Sequence, residues 1–163
     1  MVLYSIGHSN VEIGAFIDLL HRHGIQALAD ARSQPYSRYS PQYNREALSR
    51  AVLEAGLEYI YVGEALGGRP EGAEFYYGSG KVDYDRLAAS PFYISGIDRL
   101  LELAQTRRVA FLCSEADYRN CHRYKLITRT LVGRGIEVNH IVHTGELVTS
   151  GRSEFEPDQP SLF

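Results

Sequence analysis

The chain is expected to form an α/β domain: a single open, mainly parallel five-stranded sheet with helices on both faces. Three observations lead there. Short apolar runs alternate with amphipathic stretches of helical period, glycines stop those stretches, and a helix between successive strands makes the strands run parallel.

Val2 to Ile6 is the first strand, and Ser9-Asn-Val-Glu12 has capping-box spacing ahead of the stripe Ile13, Phe16, Ile17 and Leu20. Gly24 ends that helix, and Ile25 to Ala31 is strand two. Asn44 caps a helix with Ala47, Leu48, Ala51, Val52 and Ala55 on one face, stopped by Gly56 before a third strand, Leu57 to Val62. An irregular stretch from Gly63 to Asp83 reads as a lid or binding loop, because long structureless loops inside a domain tend to be functional. Ser90-Pro91 starts a helix whose Tyr93, Ile97, Leu100, Leu101 and Ala104 share a face. Val109 to Cys113 is strand four, a helix from Asn120 runs to the region of Gly133 to Gly135, and Ile136 to His143 is strand five.

The 163 residues fit one domain, expected over 1–143, followed by a polar, acidic tail over 144–163 expected to be disordered. No apolar run approaches a membrane span, and the N-terminus has no signal-peptide pattern, so the expected location is the cytosol. The net charge is −3, but Glu146, Glu154, Glu156 and Asp158 lie in the tail against Arg152 alone, and the rest is formally neutral. That balance gives no support to non-specific nucleic-acid binding, and any basic patch must be local. Arginine outnumbers lysine fifteen to two, which suits forked recognition of phosphate or carboxylate.

Polar residues gather where strands end. Strand one runs into Gly7-His8-Ser9-Asn10, strand two into Asp30-Ala31-Arg32-Ser33, strand three towards Gly67-Gly68-Arg69, and strand four into Cys113-Ser114-Glu115. Parallel strands send these loops to one edge, so His8, Asp30, Arg32, Cys113, Glu115, Cys121, His122 and Arg123 are expected around one crevice. Both cysteines of the chain lie in Cys113-Ser-Glu-Ala-Asp-Tyr-Arg-Asn-Cys121-His122-Arg123.

Ile-Gly-His-Ser-Asn, Asp-Ala-Arg-Ser-x-Pro-x-Ser-Arg, Leu-Gly-Gly and Cys-x-Glu-x5-Cys-His-Arg together resemble the domain-of-unknown-function 488 family, from about residue 3 to 143. The resemblance implies an α/β fold and a shared site, and it brings no reaction with it. Asp30-Ala-Arg stands where the family more usually has Asp-Val-Arg, a small change that leaves the site intact.

Several readings of the cysteine block stay open. With Asn120 as N-cap, Cys121 and His122 occupy a first helical turn that favours a thiolate. Cys121 is then a nucleophile, activated by His122, His8 or the helix end, with Cys113 and Glu115 completing the catalytic candidates. Arg123 or Arg32 holds an anionic group, and Asn10, Asp30, Ser33 and Arg38 are the remaining substrate-contact candidates. A metal reading joins Cys113, Cys121 and His122 with Glu115 or His8, but C-x7-C-H is unlike a zinc knuckle and no metal is assigned. A disulfide between the cysteines excludes both roles while closed. Cys113 to Arg119 has a cysteine-phosphatase spacing, yet its loop lacks glycine and carries two acids that oppose a phosphate dianion. Pro35 to Tyr43, rich in tyrosine beside Arg32, Arg38 and Arg45, suits stacking on a base. Gly67-Gly68-Arg69 and Gly78-Ser-Gly80-Lys81 match no cofactor fingerprint, and the cofactor stays open. The leading expectation is an enzyme acting on a small anionic substrate, with nucleotide-derived compounds among the candidates. The alternatives are a nucleotide or nucleic-acid binding module without turnover, and a structural metal or redox-thiol site.

Overall fold

Strands β1 (Val2–Gly7), β2 (Ala27–Asp30), β3 (Glu58–Tyr61), β4 (Val109–Cys113) and β5 (Glu137–Ile141) pair in parallel in a computed structural model that describes residues 1–151 with Glu154 and Phe155. A sixth strand, β6 (Leu147–Ser150), adds antiparallel to β5, and the order across the sheet is β3-β2-β4-β1-β5-β6. The expected five-stranded sheet is therefore corrected to six. The extra strand lies inside the segment read as tail, because Gly145, at φ 92°, turns the chain back and Val142 N–H donates to Glu146 O at 3.0 Å. Residues 152–153 and 156–163 of that segment lie outside the described residues.

Two apolar layers sandwich the sheet. On one face α1 (Ile13–Arg22) and α2 (Arg45–Glu54) bury Phe16, Leu20, Leu48 and Val52 with Leu28, Ala110 and Leu112. On the other, α5 (Pro91–Thr106) buries Tyr93, Ile97 and Leu100 with Ala27, Ala29 and Phe111. The chain after β4 joins this second layer through Leu126, Ile127 and Leu131, and each such buried side chain contributes about 1.5–3 kcal/mol.

Local starts differ from expectation in three places. Glu12, not Ser9, precedes the first turn of α1, and no side chain caps it. Ser9 is instead a non-glycine residue at φ 45°, a strained conformation fixed by Ser9 N–H donating to Ser114 O at 2.8 Å. Asn44 does precede α2, but its carboxamide accepts from Ser37 N–H rather than from the helix. Beyond Asn120 the chain makes no immediate helix: Tyr118–Asn120 is a 3₁₀ turn, Cys121 is extended, and a π-helical turn over Arg123–Thr128 leads into an α-helical turn at Arg129–Gly133.

The stretch expected to be irregular holds short packed pieces. A helical turn, α3 (Gly63–Leu66), a 3₁₀ turn over Ala73–Phe75 and a bridge between Tyr76 and Val82 precede α4 (Tyr84–Ala88). Buried Leu66 and Phe75 anchor them to the core.

Neighbouring strands β1 and β4 lead into helical layers on opposite faces of the sheet. The loops after them stay paired: Gly7 lies beside Cys113 in register, His8 N–H donates to Cys113 O at 3.2 Å and Ser9 N–H to Ser114 O at 2.8 Å.

Candidate functional site

A cleft of about 290 Å³ opens at the carboxyl edge of the sheet between the segments that follow β2 and β4, lined by Arg32, Ser33, Gln34, Gly68, Arg69, Tyr84, Cys113, Ser114, Glu115, Asn120, Cys121 and His122. Close packing leaves little freedom beneath it. A Cβ on Gly7 would lie 1.7 Å from Glu115 O, so only glycine lets the loop after β4 cross the end of β1. A Cβ on Gly68 would lie 2.7 Å from Cγ of His122, so the second glycine of Gly67-Gly68 packs flat on that imidazole.

Cys121 sits at the cap of the helical segment, its carbonyl accepting from the amides of Tyr124 and Lys125 at 3.1 Å each. The neighbouring Cys113 thiol is the main reason the Cys121 pKa falls below the ordinary thiol range. Burial opposes this, and the charge, side chain and backbone amide of Arg123 add to it. Cys113 moves the other way, raised first by its own burial and then by the neighbouring Cys121. One negative charge is thus shared by the pair and resides on Cys121.

Arg123 is buried, 1% exposed, yet forms no ion pair with a carboxylate among the described residues. Its Nη2 donates to Glu115 O at 3.0 Å and its Nη1 to Ser5 Oγ at 3.3 Å, while Nε is the one buried side-chain nitrogen or oxygen without a hydrogen-bond partner among the described residues. Behind it runs a buried polar chain: Ser5 Oγ lies 2.5 Å from His140 Nδ1, and His140 Nε2 lies 2.8 Å from Ser150 Oγ. Burial, with the charge of Arg123 adding to it, holds the His140 pKa down to about 3, so this ring is neutral. Tyr118 stacks on it, ring centres 3.9 Å apart.

Arg32 is held differently. Its Nε and Nη2 fork onto Asp30 Oδ1 and Oδ2 at 2.9 and 2.8 Å, and Tyr59 donates to Asp30 Oδ2 at 2.5 Å. The fork expected to grip a substrate anion is therefore already engaged, because the carboxylate two residues earlier lies within reach. Arg32 Nη1 donates to His8 Nε2 at 3.2 Å, and His8 Nδ1 donates to Ser9 O at 2.7 Å. Burial lowers the His8 pKa to about 4, and its neutral ring stacks on Tyr43 at 4.4 Å. His122 Nε2 donates to Ala31 O at 3.0 Å, and burial likewise lowers its pKa to about 4, which leaves Nδ1 as a neutral acceptor.

Of the residues expected at one crevice, Arg32, Ser33, Cys113, Glu115, Cys121 and His122 line the cleft, while His8, Asp30 and Arg123 lie immediately behind it. Glu115 reaches Arg123 through its backbone carbonyl, not its carboxylate. Asn10 and Arg38 are exposed and outside the lining, Asn10 accepting from Ser40 and Gln42. Sequence reasoning missed the site roles of Gln34, Arg69 and Ser114, and treated Asn120 only as a cap. The signal for Arg69 was the glycine pair before it, which marks a close backbone approach. Tyr84 also lines the cleft, and its phenol, its pKa raised by burial and by the charge of Cys121, is a neutral donor. Arg119 pairs with Asp117 at 3.6 Å and lies outside the lining, so no phosphatase-type cradle forms around Cys113. Among the described residues, no three His, Cys, Asp or Glu side chains gather as a metal site.

The family model described as Domain of unknown function DUF488 matches residues 12–130, which span the chain from just before α1 into the α-helical turn at Arg129–Gly133. The chain belongs to that family. Within the match lie Asp30, Arg32, Gly68, Cys113, Cys121, His122 and Arg123 of this DUF488 domain, together with every other residue that lines the cleft. The match is narrower than the span from 3 to 143 read from the motifs, and it leaves out β1 with His8, together with β5 and β6. Comparisons of this DUF488 chain with curated proteins and with solved structures give no match. No helix among its described residues is long and apolar enough to cross a membrane.

Proposed function

We propose that the protein is a cysteine-dependent enzyme of the cytosol in which Cys121 attacks an electrophilic centre of a small anionic substrate. The observation that carries this reading is a buried Arg123 with no carboxylate paired to it among the described residues, set behind a thiol that lines the cleft. A buried cation needs a counter-charge, and the thiolate of Cys121 supplies it; thiolate is also the nucleophilic form. Arg69, exposed on the cleft wall and without an ion pair among the described residues, takes the substrate's anionic group. Tyr84 donates to a leaving group, and neutral His122 accepts a proton at Nδ1 from the water that releases the product.

Nucleotide-derived substrates are favoured by a second cleft of about 480 Å³ that shares Ser33, Gln34 and Arg69 with the first and is walled by Tyr61 and Phe92. With an anionic group at Arg69, the aromatic surface of Tyr61 and Phe92 in that second cleft is available to an attached planar base. The test follows alkylation of Cys121 by iodoacetamide in the presence of inorganic phosphate or a nucleoside monophosphate. Both should slow labelling, the nucleotide at about tenfold lower concentration if stacking adds about 1.4 kcal/mol, and Arg69→Ala should remove the protection. Labelling that is fast but indifferent to both compounds would leave a reactive thiol without an anion site and sink the substrate class.

A further inference from the structure

We propose that Cys113 and Cys121 form a reversible redox modification site, in which a hydroperoxide oxidises Cys121 and Cys113 resolves the product into an intramolecular disulfide. The inference rests on the Cys121 nucleophile proposed above and assigns a role to the second cysteine, which that chemistry does not use. Cys113 ends β4, Cys121 caps the helical segment, both are buried against one cleft that they line together, and each thiol shifts the ionisation of the other. Their other contacts are weak: Cys113 Sγ lies 4.0 Å from Glu115 O, and Cys121 Sγ lies 3.7 Å from Tyr118 O. The chain between them is exposed at Ser114, Glu115, Ala116, Asp117, Arg119 and Asn120, so the sulfurs can close to bonding distance without breaking into the apolar layers.

The steps balance. The Cys121 thiolate attacks the terminal oxygen of the hydroperoxide; an S–O bond forms, the O–O bond breaks, and the leaving alkoxide or hydroxide takes a proton from solvent, giving Cys121 sulfenic acid and an alcohol or water. Cys113 then gives its proton to the sulfenic hydroxyl as its sulfur attacks Cys121, so the S–O bond breaks, water leaves and the disulfide forms. Sulfur loses two electrons and the hydroperoxide gains them; an external dithiol returns them and restores both thiols. Closed, the site has no nucleophile, and Arg123 loses the thiolate beside it.

The full chain, reduced and then treated with a slight excess of hydrogen peroxide at neutral pH, should lose two hydrogens by intact mass. Peptide mapping should join Cys113 to Cys121, and a dithiol should restore iodoacetamide labelling fully. Cys113→Ser, and Cys113→Ala as a second variant should the first fold poorly, should accumulate Cys121 sulfinic acid that a dithiol does not reverse. A wild-type protein that accumulates sulfinic acid as fast as these variants, or stays dithiol under peroxide while Cys121 alkylates rapidly, would overturn the disulfide and leave the nucleophile standing. Slow alkylation of Cys121 in the reduced wild type counts against both readings at once.

Discussion

Arg123 places a positive charge in the interior beside a thiol, and the cost of burying it is offset by two carbonyls, one hydroxyl and the charge on Cys121. Replacing it isolates the electrostatic effect. In Arg123→Met, which keeps an unbranched apolar stem, the midpoint of Cys121 alkylation against pH should rise by about one to three pH units, the size expected for losing a close opposite charge. Arg123→Lys should fall between, since an ammonium restores charge but cannot reach Ser5 and Glu115 O together. A midpoint unchanged in Arg123→Met would show that the neighbouring Cys113 thiol alone sustains the thiolate. His140 is the positioning residue behind this arrangement: a charged ring there would repel Arg123, and its low pKa keeps it neutral.

At the level of elements, the site is built between the segments that follow β2 and β4, and the packing beneath it is tightest at Gly7, under the carbonyl of Glu115. Gly7→Ala should therefore force the loop after β4 away from β1 at a cost of about 3 kcal/mol, lowering Tm by roughly 10 °C and slowing Cys121 labelling protection by anions. A Gly7→Ala protein as stable as the wild type would mean that this loop yields freely. The five parallel strands and their common edge were legible because apolar runs and helical stripes alternate from Val2 to His143. The sixth strand was not, since four residues beside an acidic segment carry a weak period and the turn at Gly145 was its main sign. The start of the last helical segment was misplaced at Asn120 because asparagine is a common cap and cysteine is not, yet it is Cys121 whose carbonyl receives the helical amides. The cysteine block could be found in one dimension, whereas a missing carboxylate near Arg123 is a fact of three dimensions and could not.

Across the whole molecule, three neutral imidazoles, two buried and one half-buried at the cleft, set the response to acid. His8, His122 and His140 have pKa values lowered to about 4, about 4 and about 3, all below the unfolded value near 6.5. Each resists protonation when folded and accepts a proton when unfolded, so the stability they confer is complete above pH 6.5 and is lost as pH falls towards 4 and below. Each adds a slope of about 1.4 kcal/mol per pH unit inside that window. Denaturant midpoints should hold between pH 7 and 8 and drop steeply between pH 6 and 4, and a His140→Gln variant should show a shallower drop; midpoints flat to pH 4 would contradict the buried neutral state.

The order β3-β2-β4-β1-β5-β6 also sets how little open edge the sheet offers. The outer strands, Glu58–Tyr61 and Leu147–Ser150, are four residues each, while β1, at six residues, is enclosed between two neighbours. At the start of one edge Glu58 pairs with Arg107 at 2.5 Å, which marks that line with charge. Among the described residues, the strand geometry that seats the cleft thus leaves only short outer strands, a poor template for edge-to-edge growth of the sheet.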